Sequence, residues 1–127
     1  MTREPHRLTA IEAAAQIAAG NLSAETLVRS CLERIQHRDP QVRAWVQLDP
    51  EAAIASAKRA DASPRAGLLH GIPVGFKDVI DTADQPTAYG SRIYAGHRPV
   101  ADAACVALSR DAGALVLGKA ASTEFAY

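Results

Sequence analysis

The chain is poor in aromatic residues and cysteine, and neither sign of charge is in excess. Its 127 residues include one Trp, two Phe, three Tyr and two Cys. Alanine supplies much of the 48% hydrophobic content, and this composition suits helices packed closely on a sheet. Such a content argues against disorder, and the length allows one modest domain that can bury a core.

Charge and apolar runs exclude several classes of protein. Fourteen Lys and Arg balance fourteen Asp and Glu, so neither a nucleic-acid partner nor an acidic membrane surface is predicted. Charges interrupt the apolar runs before they reach the roughly 18 residues of a membrane span. The polar stretch 1–7 is not followed by the apolar core of a signal peptide. We therefore expect a cytoplasmic protein that does not bind a membrane.

The cysteines and histidines show no metal-binding pattern. Cys31 and Cys105 both fall within predicted helices. A disulfide is possible, but buried free thiols in a cytosolic protein are favoured. The four histidines have neither paired spacing nor neighbouring cysteines, so we predict no metal site.

Capping signals predict two helices at the start of the chain. Thr9 and Glu12 form a Thr-x-x-Glu capping box, which predicts a first helix that ends at Gly20. Ser23 is placed to cap a second helix, whose apolar residues repeat every 3.6 positions. The dipeptide Asp39-Pro40 predicts the end of that helix.

A third helix and a mixed second half follow. Asp49-Pro50 supplies an N-cap and a first-turn proline for a helix that extends to about residue 62, after a short strand at 42–48. Residues 71–80 form an apolar, strand-like run. The Pro-, Gly- and Thr-rich segment 81–101 predicts a long loop, and such loops are often functional.

The end of the chain predicts a βαβ unit. A helix over 102–112 and a buried strand over 114–117 follow the loop, which implies a parallel pair with the strand at 71–80. Ser122 and Glu124 predict the start of a further helix. Because a parallel sheet needs neighbours on both sides and helices on both faces, we expect an α/β architecture that is incomplete in this chain.

Lys77 is the strongest catalytic candidate. In an alternating strand it shares a face with Gly75, while Asp78 points to the other face. A lysine without an adjacent carboxylate on an apolar strand is expected to be desolvated, which makes it a plausible general base. Gly75 is expected to leave open space beside it. The alternative is a strand-end lysine whose ammonium lies in water or pairs with an aspartate.

Other candidates are better explained structurally. Ser91 could hydrogen-bond a ligand, but Gly-Ser is more often a plain turn. Ser122 is interpreted as a helix cap, and His70 as a packing residue. Gly71-x-x-x-Gly75 lacks the ending of a phosphate loop, and the chain contains no Gly-x-Ser-x-Gly elbow.

Four segments, in order, resemble the N-terminal third of the amidase-signature family. They are residues 69–81 (LHGIPVGFKDVID), 86–91 (PTAYGS), 110–119 (RDAGALVLGK) and 124–126 (EFA). The resemblance covers nearly the whole chain. It implies that residues 1–127 are an N-terminal fragment of a single amidase domain, with a helical part at 8–62 and the lysine strand, loop and βαβ unit at 67–127. The implied fold is helices packed on a mixed, mostly parallel sheet.

The resemblance also implies a Ser–cis-Ser–Lys triad that hydrolyses carbon–nitrogen bonds in small amides without a metal or organic cofactor. The family lysine corresponds to Lys77, which would take a proton from a bridging serine that activates the nucleophilic serine. The Gly-Ser-rich segment that carries both serines is absent here, and neither Ser91 nor Ser122 replaces it. We therefore expect these 127 residues to be inactive alone.

Two alternatives remain. One is a component similar to the amidase-type subunit of the tRNA-dependent glutamine amidotransferase, which typically reads Gly-Lys-Thr-Asn-Met-Asp-Glu-Phe. This chain reads GKAASTEF at 118–125, which favours a stand-alone amidase. The other is a non-catalytic, truncated binding module. The amphipathic helices at 10–19 and 24–37 are expected to cover the sheet or to form a homodimer.

Overall fold

The computed structural model describes residues 3–127. Within them the chain forms helices and strands in the order α1 (Ala10–Ala18), α2 (Ala24–Val42), β1 (Trp45–Leu48), α3 (Pro50–Asp61), β2 (Pro73–Lys77), α4 (Ala104–Asp111) and β3 (Leu115–Ala120). Short 3-10 turns lie at Pro5–Arg7, Arg92–Tyr94 and Glu124–Ala126. The mixture of helices and strands confirms the predicted α/β class.

The predicted helix starts are confirmed by their capping contacts. The Thr9 hydroxyl accepts a hydrogen bond from the Glu12 N–H at 3.2 Å, and the Glu12 carboxylate accepts one from the Thr9 N–H at 2.7 Å. The side chains of Ser23 and Asp49 likewise accept hydrogen bonds from N–H groups three residues later. Each cap satisfies an N–H group that has no partner within its own helix.

The predicted end of the second helix at Asp39-Pro40 is wrong, because α2 continues to Val42 with Pro40 inside it. Proline removes one helical hydrogen bond, but two others hold the last turn. The Arg43 N–H donates to the Asp39 carbonyl at 2.7 Å, and the Ala44 N–H donates to the Asp39 carboxylate at 2.7 Å. Arg43 ends the helix with a left-handed φ of 55°.

The sheet has the order β1-β3-β2. Strands β2 and β3 are parallel, with Pro73 opposite Leu115 and Lys77 opposite Ala120. Helix α4 lies between them in the chain, which confirms the predicted βαβ unit. Strand β1 pairs with β3 in the antiparallel direction, so the sheet is mixed. Asp102 does not cap α4, because its carboxylate binds Arg110 and an N–H in the preceding loop.

Helices α2 and α3 pack on the sheet through a buried cluster that includes Val28, Ala57 and Leu117. A second cluster joins α1 and α2 to the residues before β2 through Ala13, Leu27 and Ile72. Full burial of a side chain such as Val28 stabilises the fold by about 1.5–3 kcal/mol. The predicted sheet-covering role of the N-terminal helices is therefore present.

Asp61, the last residue of α3, fixes the start of α2. Its carboxylate accepts hydrogen bonds from the Ala24 and Glu25 N–H groups at 2.7 and 3.0 Å. These N–H groups lie in the first turn of α2, where a negative charge is also favoured by the helix dipole. The contact therefore joins the two helices across 37 positions of sequence.

Two further expectations need correction. Both cysteines are free, but only Cys31 is partly buried, whereas Cys105 is exposed on α4. Residues 124–126 form a 3-10 turn rather than a helix start, since Phe125 and Ala126 have positive φ values and the Phe125 N–H donates to Tyr89. No helix between residues 3 and 127 is long and apolar enough to cross a membrane.

Candidate functional site

Polar side chains gather where the two parallel strands end. Strand β2 ends at Lys77 and β3 ends opposite it at Ala120. The loop 81–101 contacts this edge through Thr87 and Ala88. Ligands of open α/β sheets bind outside the carboxyl ends of the strands, so this edge is the candidate site.

Lys77 lies on the accessible side of β2. Lys77 and Gly75 are exposed, whereas Phe76 and Asp78 are buried, as the predicted alternation requires. Within residues 3–127 the Lys77 ammonium has no hydrogen-bond or ion-pair partner. The expected desolvation of Lys77 is therefore not provided by the described part of the chain. The predicted open space beside Gly75 is also wrong, because a Cβ there would lie 2.6 Å from Cη2 of Trp45.

Asp78 is bound to groups other than Lys77. Its side chain is buried, and its carboxylate lies 3.7 Å from the Lys119 ammonium. The carboxylate also accepts a hydrogen bond from the Ala88 N–H, at 3.2 and 3.3 Å to its two oxygens. The Asp78 N–H donates to the Ala120 carbonyl at 2.8 Å. Asp78 thus fixes the turn that follows Lys77.

Lys119 is a site residue that sequence reasoning did not identify. Its side chain is fully buried, and its ammonium donates a hydrogen bond to the Thr87 hydroxyl at 2.5 Å. Burial lowers the pKa of Lys119, and the carboxylates of Asp78 and Asp81 oppose that shift. The signal was a lysine two residues beyond a predicted buried strand, and that strand extends to Ala120.

The middle of the loop is held by two polar contacts. The Tyr89 hydroxyl donates to the Asp81 carboxylate at 2.6 Å, and this hydrogen bond raises the pKa of Tyr89 to about 12. Ser91 is buried and donates to the Glu124 carboxylate at 2.7 Å. Between them, Gly90 has a φ of 70° and lies against the Thr123 carbonyl. Ser91 therefore has a structural partner rather than a free hydroxyl.

Comparison with known proteins decides the family. The model of the amidase family matches residues 26–127. The chain belongs to the amidase family. It is 46% identical to a glutamyl-tRNA(Gln) amidotransferase subunit from Chloroflexus aggregans over 127 residues, which cover 97% of this chain and 26% of that protein.

Solved structures of the amidase family have the same fold over this region. A native peptide amidase from Stenotrophomonas maltophilia superposes with a TM-score of 0.87 and 38% identity, over 97% of this chain and 26% of that one. An amidase family protein from Bacillus anthracis gives a TM-score of 0.83 and 32% identity, over 93% of this chain and 25% of that one. The chain therefore spans about a quarter of the length of its relatives.

The remaining candidates do not lie with Lys77 in this amidase chain. The His70 imidazole bridges the Ala66 N–H and the Ala60 carbonyl, both at 3.1 Å, which confirms a packing role. The Ser122 hydroxyl donates to the Thr123 carbonyl at 2.8 Å and caps no helix. Among residues 3–127 no cluster of three or more metal-binding side chains is found.

Proposed function

We propose that this chain is the N-terminal part of an amide hydrolase and that Lys77 is the base of its Ser–cis-Ser–Lys triad. The position of Lys77 carries this proposal. It lies at the carboxyl edge of a parallel strand, it is exposed, and it has no counter-ion within residues 3–127. The adjacent carboxylate of Asp78 is already occupied by Lys119. An amine without a fixed carboxylate partner can reach the neutral form that a base requires.

The proposed reaction needs two serines from a segment outside residues 1–127. That segment would cover the exposed side of β2, and burial of an amine favours its neutral form. The neutral amine of Lys77 would accept a proton from the bridging serine. The bridging serine would in turn accept the proton of the nucleophilic serine as it attacks the amide carbonyl. Ammonia or an amine leaves, and water then releases the acid from the acyl-enzyme.

The test is a lysine substitution in the polypeptide that joins this sequence to its serine-bearing segment. Lys77→Ala and Lys77→Arg should each lower kcat for hydrolysis of small primary amides by roughly 10²-fold or more, because neither side chain can act as a neutral amine. Lys58→Ala in α3 is the control, since Lys58 is exposed and its weak ion pair with Glu25 lies on the helices. Ammonia release measures the rate. Full activity of Lys77→Ala would overturn the proposal.

A second experiment tests the isolated chain. Residues 1–127 should release no ammonia from amides, because Ser91 is bound to Glu124 and Ser122 lies in no glycine-serine segment. Turnover by the purified 127-residue chain that is lost in Lys77→Ala would contradict this expectation.

The second candidate function is that of an amidotransferase component. The 46% identity to the amidotransferase subunit from Chloroflexus aggregans supports it, whereas the sequence at 118–125 favours a stand-alone amidase. Lys77→Ala would inactivate either enzyme, so the partners decide. Co-purification with two other chains and conversion of glutamyl-tRNA(Gln) would support the amidotransferase. Hydrolysis by a single chain in their absence would support the amidase.

Cytoplasmic location and a homodimer through α1 and α2 stay predictions. Cell fractionation tests the first. Sedimentation of the protein with and without charge substitutions on the exposed faces of α1 and α2 tests the second.

A further inference from the structure

The buried ammonium of Lys119 lies behind the proposed base. Lys119 is fully buried and Asp78 is 3% exposed, so both charges are removed from water. Lys119 lies in β3 opposite Phe76, one position before the pair formed by Lys77 and Ala120. Because side chains alternate along a strand, the Lys119–Asp78 pair and the Lys77 side chain are on opposite sides of the sheet.

This pair joins three segments that meet at the end of β2. Asp78 contacts β3 through its N–H and the loop through the Ala88 N–H. Lys119 contacts the same loop through the Thr87 hydroxyl. Thr87 is itself fully buried. The backbone that immediately follows Lys77 is therefore held from β3 and from the loop at once.

Stability alone does not account for a buried pair. Two charges lose their hydration on burial, and well-packed apolar side chains of similar volume often stabilise a fold as well or better. What the pair supplies in addition is direction, because the Asp78 carboxylate and Lys119 ammonium each accept or donate along fixed lines. The direction they fix here is that of the strand end.

We propose that Lys119, Asp78 and Thr87 form a positioning network that holds Lys77 in the orientation its role as a base requires. This inference rests on the proposed function of Lys77. Lys119 is a positioning residue in this network, since it contacts neither the side chain of Lys77 nor the exposed side of β2.

The experiment compares variants of the whole amide hydrolase that carries this sequence. Lys119→Met replaces the ammonium by an apolar group of similar length, and Thr87→Val removes only the hydroxyl from the network. Val106→Ala is the control, because Val106 is also fully buried but lies in α4. Each variant is measured for kcat, KM and Tm.

The positioning role predicts a split between kcat and KM. Lys119→Met and Thr87→Val should lower kcat by about tenfold or more with little change in KM, since a small misplacement of a catalytic group is costly. Val106→Ala should lower Tm with kcat unchanged. If Lys119→Met fails to fold, Thr87→Val carries the test, because its two side chains have nearly the same shape.

Two results separate the inference from the proposed function. If Lys77→Ala abolishes activity but Thr87→Val and any folded Lys119→Met keep the wild-type kcat, the positioning network is overturned and the base assignment stands. If Lys77→Ala keeps full activity, the base assignment is overturned and the network loses its purpose.

Discussion

The contact of the loop apex at Gly90 with residues 122–123 should contribute measurably to stability. Gly90 has a φ of +70°, and an added Cβ would lie 2.5 Å from the Thr123 carbonyl oxygen and 2.8 Å from that of Ser122. Gly96 in the same loop has a φ of +78°, but a Cβ there would meet nothing within 4 Å. The variants Gly90→Ala and Gly96→Ala therefore share the backbone strain and differ in the close approach.

The expected costs follow from these two terms. A left-handed conformation costs a residue with a Cβ roughly 1–2 kcal/mol, which is the whole cost expected for Gly96→Ala. Gly90→Ala adds the displacement of backbone carbonyls, for which overpacking costs of about 1–3 kcal/mol are typical. With an unfolding entropy of roughly 2.1 cal/mol/K per residue, 1 kcal/mol corresponds to about 4 °C in a chain of 127 residues. Gly90→Ala should therefore unfold roughly 4–11 °C below Gly96→Ala.

Urea and thermal unfolding, followed by circular dichroism, measure the difference. Limited proteolysis adds a local readout, because release of the loop apex should make residues 81–101 more accessible in Gly90→Ala than in Gly96→Ala. Equal midpoints and equal cleavage for the two variants would refute the close packing of the loop against residues 122–123.

Three further outcomes are expected. Asp61→Ala should lower the free energy of unfolding in urea by about 1–3 kcal/mol, because two N–H groups at the start of α2 lose their acceptor; Asp61→Asn should lose less, and an unchanged midpoint would contradict the contact. Tyr89 should titrate at about pH 12 by ultraviolet absorbance. Because a raised folded pKa makes stability fall as pH rises from 10 to 12, the Tyr89→Phe variant should lose this dependence, and Asp81→Asn should lower the titration midpoint; an unchanged midpoint would contradict the Asp81 contact. Burial raises the pKa of Cys31, so a thiol reagent at pH 8 should modify Cys105 faster by roughly tenfold or more, and equal rates would show that Cys31 is not buried.

Local signals in the sequence were sufficient for most of the helices and for the βαβ unit. The caps at Thr9, Ser23 and Asp49 depend on residues within three positions of each other, so the sequence alone determines them. Pro40 was misjudged because the contacts that hold the last turn of α2 come from the side chain of Asp39 and the backbone beyond it. A rule about proline alone does not include them.

The environments of the two lysines required tertiary information. The strand pattern correctly separated Lys77 from Asp78, but it could not show that Trp45 fills the space at Gly75 or that Lys77 is exposed in residues 3–127. The burial of Lys119 depends on Thr87, 32 positions away. No local pattern places a loop residue on a strand at that separation, so the partner of Asp78 could not be predicted.

The strand order has a consequence for synthesis of the chain. Strand β3 lies between β1 and β2 in the sheet but follows both of them in the sequence. While a ribosome produces residues 45–114, both earlier strands lack their hydrogen-bonding neighbour and only α1–α3 can begin to pack locally. Pairings that close late expose strand edges to aggregation for longer. The release of residues 115–120 is thus the event that allows both outer strands to pair, and chaperone dependence should be greatest just before it.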